Sequence, residues 1–481
     1  MKRQHPIKIL TLTVKNFWLL LIPLVRGLIN LRFDWRHWLE GAYIDVLTLL
    51  AILLLAYIRW RFMTYEIRDN SIFFKGGIIA KYQYEIPFSV ISSATFQFSF
   101  FKRPLKATDV FIETDSSFGG INEKNADLKM ILSEKETQHL IQKLTEMQVG
   151  TKLFYYPSKW NLLIFSFLFS SATSGTAYIA TLLIEGGRLF GQSVEQEVFR
   201  VVNDVSSKVA IAAPPAAIGL GLLVITGWLF SFISNILRHI GFKIYRQGER
   251  VMVENGFFSR FLYSINIRKI NYADFSQSVL MRLFRVRSIQ VSCSGYGKRK
   301  QEIPVFVPIT TDREADASLR MLLPGFSVSQ NEVEPGLKAV FVYLSGGILM
   351  VLASLVVDLI GLIFFAEFRE LLRFASVMVL IPVAWLLIAE SVAFSFSGIG
   401  FADGHLTLRY GKWFKLHTVT VPEARIASMK IRRTIFQLAN GTCDIIVRTA
   451  AENGKSHRIR YLPYNETIDF LSENLDFDVL S

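Results

Sequence analysis

The sequence is poor in cysteine, in charge and in the short motifs that mark enzyme active sites. Its 481 residues include only two cysteines, too few for a disulfide framework or a cysteine-based zinc site. Charged residues make up 19%, against about 25% in an average soluble protein. The chain has no glycine-rich phosphate loop ending in Lys-Ser or Lys-Thr, no His-Glu-x-x-His and no Gly-x-Ser-x-Gly. We therefore predict that the protein is not an enzyme and that it needs no metal and no cofactor.

Apolar sequence is abundant instead, since 51% of the residues are apolar or aromatic. Long apolar runs occur in three pairs, at residues 5–29 and 42–57, 160–184 and 209–237, and 339–366 and 371–397. A helix of about 20 such residues crosses a bilayer core of about 30 Å. Lys15 and Arg26 interrupt the first run, which either spans with both side chains reaching the headgroups or lies in the interface. We predict six transmembrane helices in three hairpins.

The distribution of lysine and arginine predicts the orientation. The loops inside the hairpins are nearly neutral, whereas basic residues such as Arg59, Arg61, Arg238 and Lys243 follow the hairpins directly. The positive-inside rule then places the N-terminus and the three polar segments in the cytoplasm. The net charge of +13 fits a protein beside an anionic surface. Cysteines in cytoplasmic domains stay reduced, and we expect both to be small core residues.

The polar segments that follow the hairpins repeat one pattern of spacing. The first two share gaps of 9, 5, 12, 7 and 2 residues, and the third is one residue longer in its first gap. The aligned residues are Gly77, Ile86, Ile91, Arg103, Val110 and Ile112; Gly256, Ile265, Ile270, Arg282, Ile289 and Val291; and Gly411, Val421, Ile426, Leu438, Ile445 and Val447. This pattern predicts a threefold internal repeat of a hairpin and a domain.

Each repeated segment reads as β structure that ends in one helix. Short β-rich stretches are bounded by turn residues, and the glycines at 77, 256 and 411 stand where hairpin turns need a permissive backbone. Capping boxes at Ser133 and Thr311 predict a terminal helix in the first two segments, and Asn465 predicts the cap of a weaker third. We place the hairpins at residues 1–62, 151–240 and 329–400, and the domains at 63–150, 241–328 and 401–481.

These residues resemble a known family. Tyr65 and Gly77, the Ile86-Pro87 pair and the strand around Val110 are similar to the bacterial pleckstrin-homology-like (PH-like) repeat, and Val421-Pro422 carries the same signature. The threefold arrangement resembles the YdbT family of multi-pass bacterial membrane proteins. The resemblance implies a membrane α+β fold in which each hairpin precedes a cytoplasmic PH-like barrel or sandwich with a C-terminal helix. It also implies a smaller membrane protein with one PH-like domain as a partner, and a role in envelope stress or antimicrobial-peptide resistance.

Basic clusters recur near equivalent strands and are the candidate sites for anionic lipid or a partner. Each such charge near an anionic leaflet contributes about 1 kcal/mol. The alternative is a charge bias that only keeps these domains inside. Stacking aromatics do not alternate with the clusters, so we expect no nucleic-acid binding. The candidates are Lys102, Arg103, Lys106, Arg282, Arg285, Arg287, Lys298, Arg299, Lys300, Arg432 and Arg433.

Two acidic residues inside predicted membrane helices support a competing function. Asp358 lies within the fifth run and Glu390 within the sixth, and carboxyl groups at such depth often mark an ion or proton path. They suggest a small-solute or lipid transporter regulated by the PH-like domains, or alternatively a hydrogen bond between helices. The function we favour is a membrane scaffold that presents three domains to a partner membrane protein or to anionic lipid, with an exposed strand edge as a peptide site.

Overall fold

The computed structural model describes residues 1–15, 35–78, 80–115, 127–146, 152–170, 176–179, 181, 200, 204, 215–296, 305–364, 369–450 and 456–475. It is a mixed α+β structure in which long helices alternate with antiparallel sheets. Three repeated β units follow one another along the chain, and we number them units 1, 2 and 3.

Three helices in the described residues are long and apolar enough to cross a membrane. These segments are Gly221–His239, Leu337–Gly361 and Ser376–Phe396, and they coincide with the fourth, fifth and sixth predicted runs. The second run lies in a 27-residue helix, while much of the first and third runs falls outside the described residues. The helices of these regions are α1 Ile7–Lys15, α2 Trp35–Arg61, α4 Lys159–Phe169, α5 Pro215–His239, α8 Val340–Phe364 and α9 Arg369–Phe396.

Each unit contributes strands to two antiparallel sheets and ends in a helix, and the resemblance implies two sheets and a terminal helix. Unit 1 comprises β1 Lys2–Arg3, β2 Thr64–Ile67, β3 Ser71–Gly76, β4 Tyr82–Pro87, β5 Ile91–Phe98, β6 Ala107–Thr114, β7 Leu128–Ser133 and α3 Glu134–Glu146. Unit 2 comprises β8 Leu153–Tyr155, β9 Lys243–Gln247, β10 Arg250–Asn255, β11 Arg260–Asn266, β12 Ile270–Ser278, α6 Val279–Leu283, β13 Val286–Cys293, β14 Val305–Thr311 and α7 Asp312–Leu322. Unit 3 comprises β15 Gly398–Ala402, β16 His405–Lys412, β17 Lys415–Pro422, β18 Ile426–Arg432, α10 Ile435–Asn440, β19 Thr442–Thr449, β20 Ser456–Pro463 and α11 Tyr464–Asn474.

Two of the three predicted terminal caps are confirmed. The hydroxyl of Ser133 accepts from the Glu136 N–H at 3.4 Å, and that of Thr311 accepts from the Glu314 N–H at 3.3 Å. The third cap is wrong, because α11 begins at Tyr464 with Pro463 at the cap position, so that Asn465 lies within the helix. Proline fits there because the first turn of a helix does not use its N–H groups.

The predicted glycine turns are confirmed in units 1 and 2 only. Gly77 and Gly256 have φ of 95° and 103°, which glycine adopts without strain. Gly411 lies inside β16, and Trp413 at φ 55° takes the turn position instead. A Cβ at Gly411 would lie 2.1 Å from Cβ of Ala393 in α9, so this glycine permits a close approach between strand and helix.

The helical hairpins are inserted after a first short strand of each unit, a feature that the sequence did not reveal. β1 pairs with β2 across the first hairpin, and β8 pairs with β9 across the second. In unit 3 an isolated β-bridge joins Val333 to Ile399 across the third hairpin. The structure thus places strand residues 153–155 and the bridging Val333 within ranges predicted as hairpins.

Strand pairing joins the three units into one array. β5 of unit 1 pairs with β11 of unit 2 in a seven-stranded sheet, and β12 of unit 2 pairs with β17 of unit 3 in a six-stranded sheet. Ala94 faces Ser264 at the first junction, and the equivalent repeat residues, Ala273 and Thr420, face each other at the second. The two junctions therefore use the same strands in the same register.

Side chains cross both junctions. Met252 and Leu262 of unit 2 are buried in the core of unit 1, and Tyr272 of unit 2 is buried in the core of unit 3. Full burial of such a side chain contributes about 2 kcal/mol. At the second junction the Asp274 carboxylate lies 2.9 Å from Nδ1 of His417. The junctions are thus packed interfaces as well as backbone ladders.

One buried arginine links unit 2 to unit 1. Arg250 is 3% exposed, and its guanidinium donates to the carbonyls of Phe88 and Ile91 at 3.0 and 3.3 Å. Burial lowers the pKa of Arg250 to about 10. The group stays charged at neutral pH, and its bonds are of the stronger, charge-assisted kind.

An ion cluster connects all three units. The Asp115 carboxylate of unit 1 accepts from Lys269 Nζ of unit 2 at 2.8 Å and from Arg425 of unit 3 at 3.5 Å. Burial acts to raise the pKa of Asp115, but the hydrogen bonds and charges of Lys269 and Arg425 outweigh it and hold that pKa below its usual value. The three units are therefore fixed relative to one another by electrostatics as well as by strands.

Candidate functional site

The array ends in two strand edges that no described residue pairs with. β4 is the outer strand of the four-stranded sheet of unit 1, and β18 is the outer strand of the three-stranded sheet of unit 3. β4 is equivalent to β11 and β17, while β18 is equivalent to β5 and β12. Each edge thus corresponds to a strand that forms a junction elsewhere in the array, and we call them the β4 edge and the β18 edge.

Side chains on an open edge are more exposed to solvent than side chains at equivalent positions of a paired strand. Ser93 and Thr95 on β5 are each 2% exposed because β11 covers them. The equivalent residues of β18, Ser428 and Lys430, are exposed, and Arg432 at the end of the strand is exposed too. An open edge offers unpaired backbone N–H and C=O groups to another strand.

The edges differ in charge. β18 carries Lys430 and Arg432, whereas β4 carries Glu85 as its one charged residue. Two β18 edges would repel each other, because like charges on facing strands are unfavourable. Lysine on an edge is also a common protection against unspecific pairing. The charge of the β18 edge therefore disfavours pairing with a second basic strand.

The predicted basic residues of unit 1 lie in the β5–β6 connection. Lys102 is held in an ion pair with Asp109, at 2.7 Å between Nζ and Oδ2. Arg103 and Lys106 are exposed, and Lys106 closes the connection in the left-handed conformation at φ 50°. Lys102 is therefore a structural residue, while Arg103 and Lys106 are available to a ligand.

In unit 2 the structure separates the predicted cluster. Arg282 and Arg285 are exposed in the equivalent β12–β13 connection, and the Arg282 guanidinium lies 5.4 Å from the ring of Phe396 at the end of α9. Arg287 is half-buried in β13 and lowers, together with the larger effect of burial, the pKa of Arg409 in unit 3. The remaining predicted residues, Lys298, Arg299 and Lys300, lie outside the described residues.

In unit 3 the two arginines have different surroundings. Arg432 is exposed at the end of the β18 edge. The Arg433 guanidinium lies 4.0 Å from the ring centre of Tyr464, a cation–π contact that fixes it against the terminal helix. Of these two arginines, Arg432 is the one exposed at the β18 edge.

The structure does not bring the two acidic residues of the helices together. Glu390 of α9 accepts from the Gly347 N–H of α8 at 3.0 Å. Asp358 stands eleven residues further along α8, which places it about 16 Å from Gly347 along the helix axis. Glu390 thus joins two helices, and a path through both carboxylates would need to bridge this distance.

The native cysteines are core residues, as expected. Cys293 and Cys443 are free and buried. Burial raises the pKa of Cys293 to about 12 and also raises that of Cys443. Both thiols are therefore poorly reactive at neutral pH. Within the described ranges no group of three or more His, Cys, Asp or Glu side chains could hold a metal ion.

Sequence reasoning named an exposed strand edge in general terms and missed which strands are open. One signal was available. The outward residues are Ser93, Thr95 and Gln97 in the first repeat, but Ser428, Lys430 and Arg432 in the third. The covered strand β12 carries one charged residue at these positions, Asp274, and His417 of β17 pairs with it. Two basic residues at these positions are found only in the third repeat, and basic side chains are a common protection of an open edge.

Comparison with known proteins agrees with this architecture. A sequence model described as the bacterial PH domain matches residues 17–148, 198–317 and 347–474, most of the chain. The UPF0699 transmembrane protein YdbT of Bacillus subtilis (strain 168) is 21% identical over 293 residues, which is 57% of this chain. The chain spans 59% of the length of that relative. No solved structure matches the chain. The protein is a membrane protein that belongs to the bacterial PH domain family and carries this domain three times.

Proposed function

We propose that the protein is a non-enzymatic scaffold that holds three PH-like domains on the cytoplasmic face of a bacterial plasma membrane and binds a partner membrane protein through its open strand edges. The observation that carries the proposal is the use of strand pairing at both internal junctions, in one register, with the equivalent strands left open at the two ends. A domain of the same fold would extend the array in the same way.

The register of the internal junctions specifies how such a partner would pair. At both junctions, the residue three positions after the isoleucine that begins β5 or β12 faces a small residue on the partner strand. That small residue directly precedes the aligned repeat residue of its strand, which is Ile265 in β11 and Val421 in β17. Ala94 faces Ser264, and Ala273 faces Thr420. The equivalent position of the β18 edge is Met429, and that of the β4 edge is Glu85. A partner with one PH-like domain, which the resemblance implies, would use its own equivalent residue there.

The affinity of such a strand contact can be estimated from the internal junctions, where about six residues of each strand pair. Each net backbone hydrogen bond contributes about 0.5–1.5 kcal/mol, and side chains that cross the junction add to it. Anchoring of both proteins in one membrane raises their effective concentration, so that a modest intrinsic affinity suffices. The scaffold would therefore assemble in the membrane without a large apolar interface.

The test is site-specific photo-crosslinking of the full-length protein in its native membranes. A photoreactive residue replaces Lys430 on the β18 edge or Gln83 on the β4 edge, both of which are exposed. The control position is Arg448, exposed on the central strand β19 of the same sheet as β18. We expect a crosslink from at least one edge, but not from Arg448, that maps to a strand of a PH-like domain in another membrane protein. Equal crosslinking at the three positions, or none at either edge, would refute the proposal.

A further inference from the structure

A second surface lies where the membrane helices join the β units, and we call this the proximal end. β2 begins directly after α2, and its first residue, Thr64, pairs with Lys75 at the end of β3. The turn between β3 and β4 therefore lies at the proximal end. The pairing of Phe98 with Arg260, the first residue of β11, sets the end of β5 and the β5–β6 connection level with the β10–β11 turn of unit 2.

The equivalent loops of the other units lie at the proximal end too. The Gly256 N–H, in the β10–β11 turn, donates to the Ile240 carbonyl just after α5 at 3.2 Å. Ser278, at the start of the β12–β13 connection, pairs with Lys415, next to the β16–β17 turn. The six proximal loops comprise the described residues 77–78 with 80–81, 99–106, 256–259, 279–285, 412–415 and 433–441.

Large apolar side chains crowd these loops and point to solvent in the described structure. Phe101 is 85% exposed, Leu283 75%, Trp413 68% and Phe436 79%. The side chains also form a continuous surface across a junction, since the rings of Phe100 and Phe258 lie 6.3 Å apart. The other exposed members are Ile78, Leu105, Phe257, Leu280, Phe284, Phe414, Ile435 and Leu438. A soluble monomer rarely exposes so much apolar surface in one place, and such patches mark interaction sites.

The charge of the six loops is of one sign. They contain nine basic residues and no aspartate or glutamate, although the whole chain has 40 acidic residues to 53 basic ones. The basic members are Lys81, Lys102, Arg103, Lys106, Arg282, Arg285, Lys412, Lys415 and Arg433. A polar partner surface does not require such a combination, whereas an anionic headgroup layer over an apolar interior matches it.

The β5–β6, β12–β13 and β18–β19 connections, which are three of the six loops, end in the same backbone conformation. The residue that closes each of them adopts the left-handed conformation, with φ of 50° at Lys106, 54° at Arg285 and 63° at Gly441. This conformation is uncommon for residues other than glycine. Its retention at Lys106 and Arg285 keeps the loop shape and adds a positive charge beside the apolar side chains.

We infer that the six proximal loops form a lipid-binding surface, with their apolar side chains in the membrane interface and their exposed basic side chains on anionic headgroups. The occupant is the lipid surface itself, because the loops lie at the helix ends and combine the two features that stable interfacial binding requires. The inference rests on the placement of the units beside the membrane and is independent of the partner strand.

The test places a spin label at the proximal end of the full-length protein in nanodiscs. Phe101→Cys carries the label in a Cys293→Ala, Cys443→Ala background, and Asn70→Cys, in the exposed β2–β3 turn at the opposite end, is the control. Collisions with oxygen report lipid, and collisions with a water-soluble nickel chelate report water. We expect high oxygen and low nickel accessibility at position 101, the reverse at position 70, and deeper insertion when phosphatidylglycerol is added to phosphatidylcholine.

Charge removal completes the test. Arg103→Gln with Lys106→Gln, both in the loop of the label, would lower the phosphatidylglycerol-dependent insertion about 30-fold, since each charge contributes about 1 kcal/mol. Water-like accessibility at position 101 in both lipids would overturn the inference. Low accessibility to both probes would overturn it as well, because the loop would then be covered by protein. A label at Phe436→Cys in unit 3 repeats the measurement with a different loop.

Discussion

The link between units 1 and 2 makes a quantitative prediction for Arg250. Replacing Arg250 with methionine keeps a long side chain of similar reach but removes the guanidinium that donates to the carbonyls of Phe88 and Ile91. The change leaves the backbone pairing of β10 with its neighbouring strands in place. We expect it to loosen the first junction and to leave the second junction intact.

The size of the effect follows from the two bonds. A hydrogen bond to a charged group contributes about 1.5–3 kcal/mol, and the two distances of 3.0 and 3.3 Å make one bond stronger than the other. The Phe88 carbonyl also accepts from the Ile91 N–H, so it is not left without a partner. We therefore expect a loss of about 3 kcal/mol, or about 100-fold in the equilibrium constant for opening the junction.

Amide hydrogen exchange of the detergent-solubilised full-length protein measures this opening. Peptides from β5 and β11 should lose about 100-fold in protection in the Arg250→Met variant, because local opening limits their exchange. Peptides from β12 and β17 form the equivalent junction and serve as the internal control. Unchanged protection in β5 and β11, or an equal loss at both junctions, would refute the assigned role of Arg250.

Two further predictions concern the close approach of strand and helix and the ion cluster. Gly411→Ala places a methyl group 2.1 Å from Cβ of Ala393, so it should lower the thermal unfolding midpoint of the solubilised protein. The control is Gly404→Ala, whose Cβ would meet open space but whose φ of 72° is strained, and its midpoint should fall by less. An equal or smaller shift for Gly411→Ala would contradict the packing argument. Asp115, whose pKa is lowered by Lys269 and Arg425, stabilises the array above the pKa of an unfolded aspartate, and this contribution is lost as pH falls below about 4 through the folded-state value. The wild-type midpoint should then fall more on acidification than that of Asp115→Asn, and parallel curves would exclude the cluster as a source of stability.

Much of each unit could be predicted from the sequence because its signals are local. The repeated spacing fixes equivalent strands, and the hydroxyls of Ser133 and Thr311 cap the terminal helices as predicted. Gly77 and Gly256 take the positive φ that their turns demand. These features depend on a few neighbouring residues, so periodicity and turn chemistry suffice to find them.

The features that the sequence could not reveal depend on distant parts of the chain. Lys2 and Arg3 form a strand only because β2 pairs with them across the first hairpin, and two basic residues alone carry no strand signal. Gly411 reads as a turn glycine by its repeat position, but its role depends on Ala393 in another element. The junction residues Ser93 and Thr95 resemble a solvent-facing pattern, since strand pairing covers small polar side chains as readily as apolar ones.

The candidate site was predictable only in part for the same reason. Basic residues were identified by charge, and the structure leaves Arg103, Lys106, Arg282, Arg285 and Arg432 exposed. The apolar side chains beside them were overlooked because exposed phenylalanine in a turn is indistinguishable by sequence from a core residue. Pairs of adjacent apolar residues within a turn, as at 100–101 and 257–258, are the signal that could have found them.

The proposed scaffold function depends above all on the joining of the three units by strand pairing, and disulfide formation across the junctions tests this joining most directly. In a Cys293→Ala, Cys443→Ala background, Ala94→Cys with Ser264→Cys pairs two small residues that face each other at the first junction. Ala273→Cys with Thr420→Cys, reported separately, tests the second junction.

The control for the first junction moves one cysteine by a single residue, to Ile265, whose side chain points to the opposite face of the sheet. Mild oxidation of intact membranes should give near-complete intramolecular disulfides in both facing pairs and little in the shifted pair. Equal, slow formation in facing and shifted pairs would show that the units move independently, and the continuous array with its two open edges would be wrong.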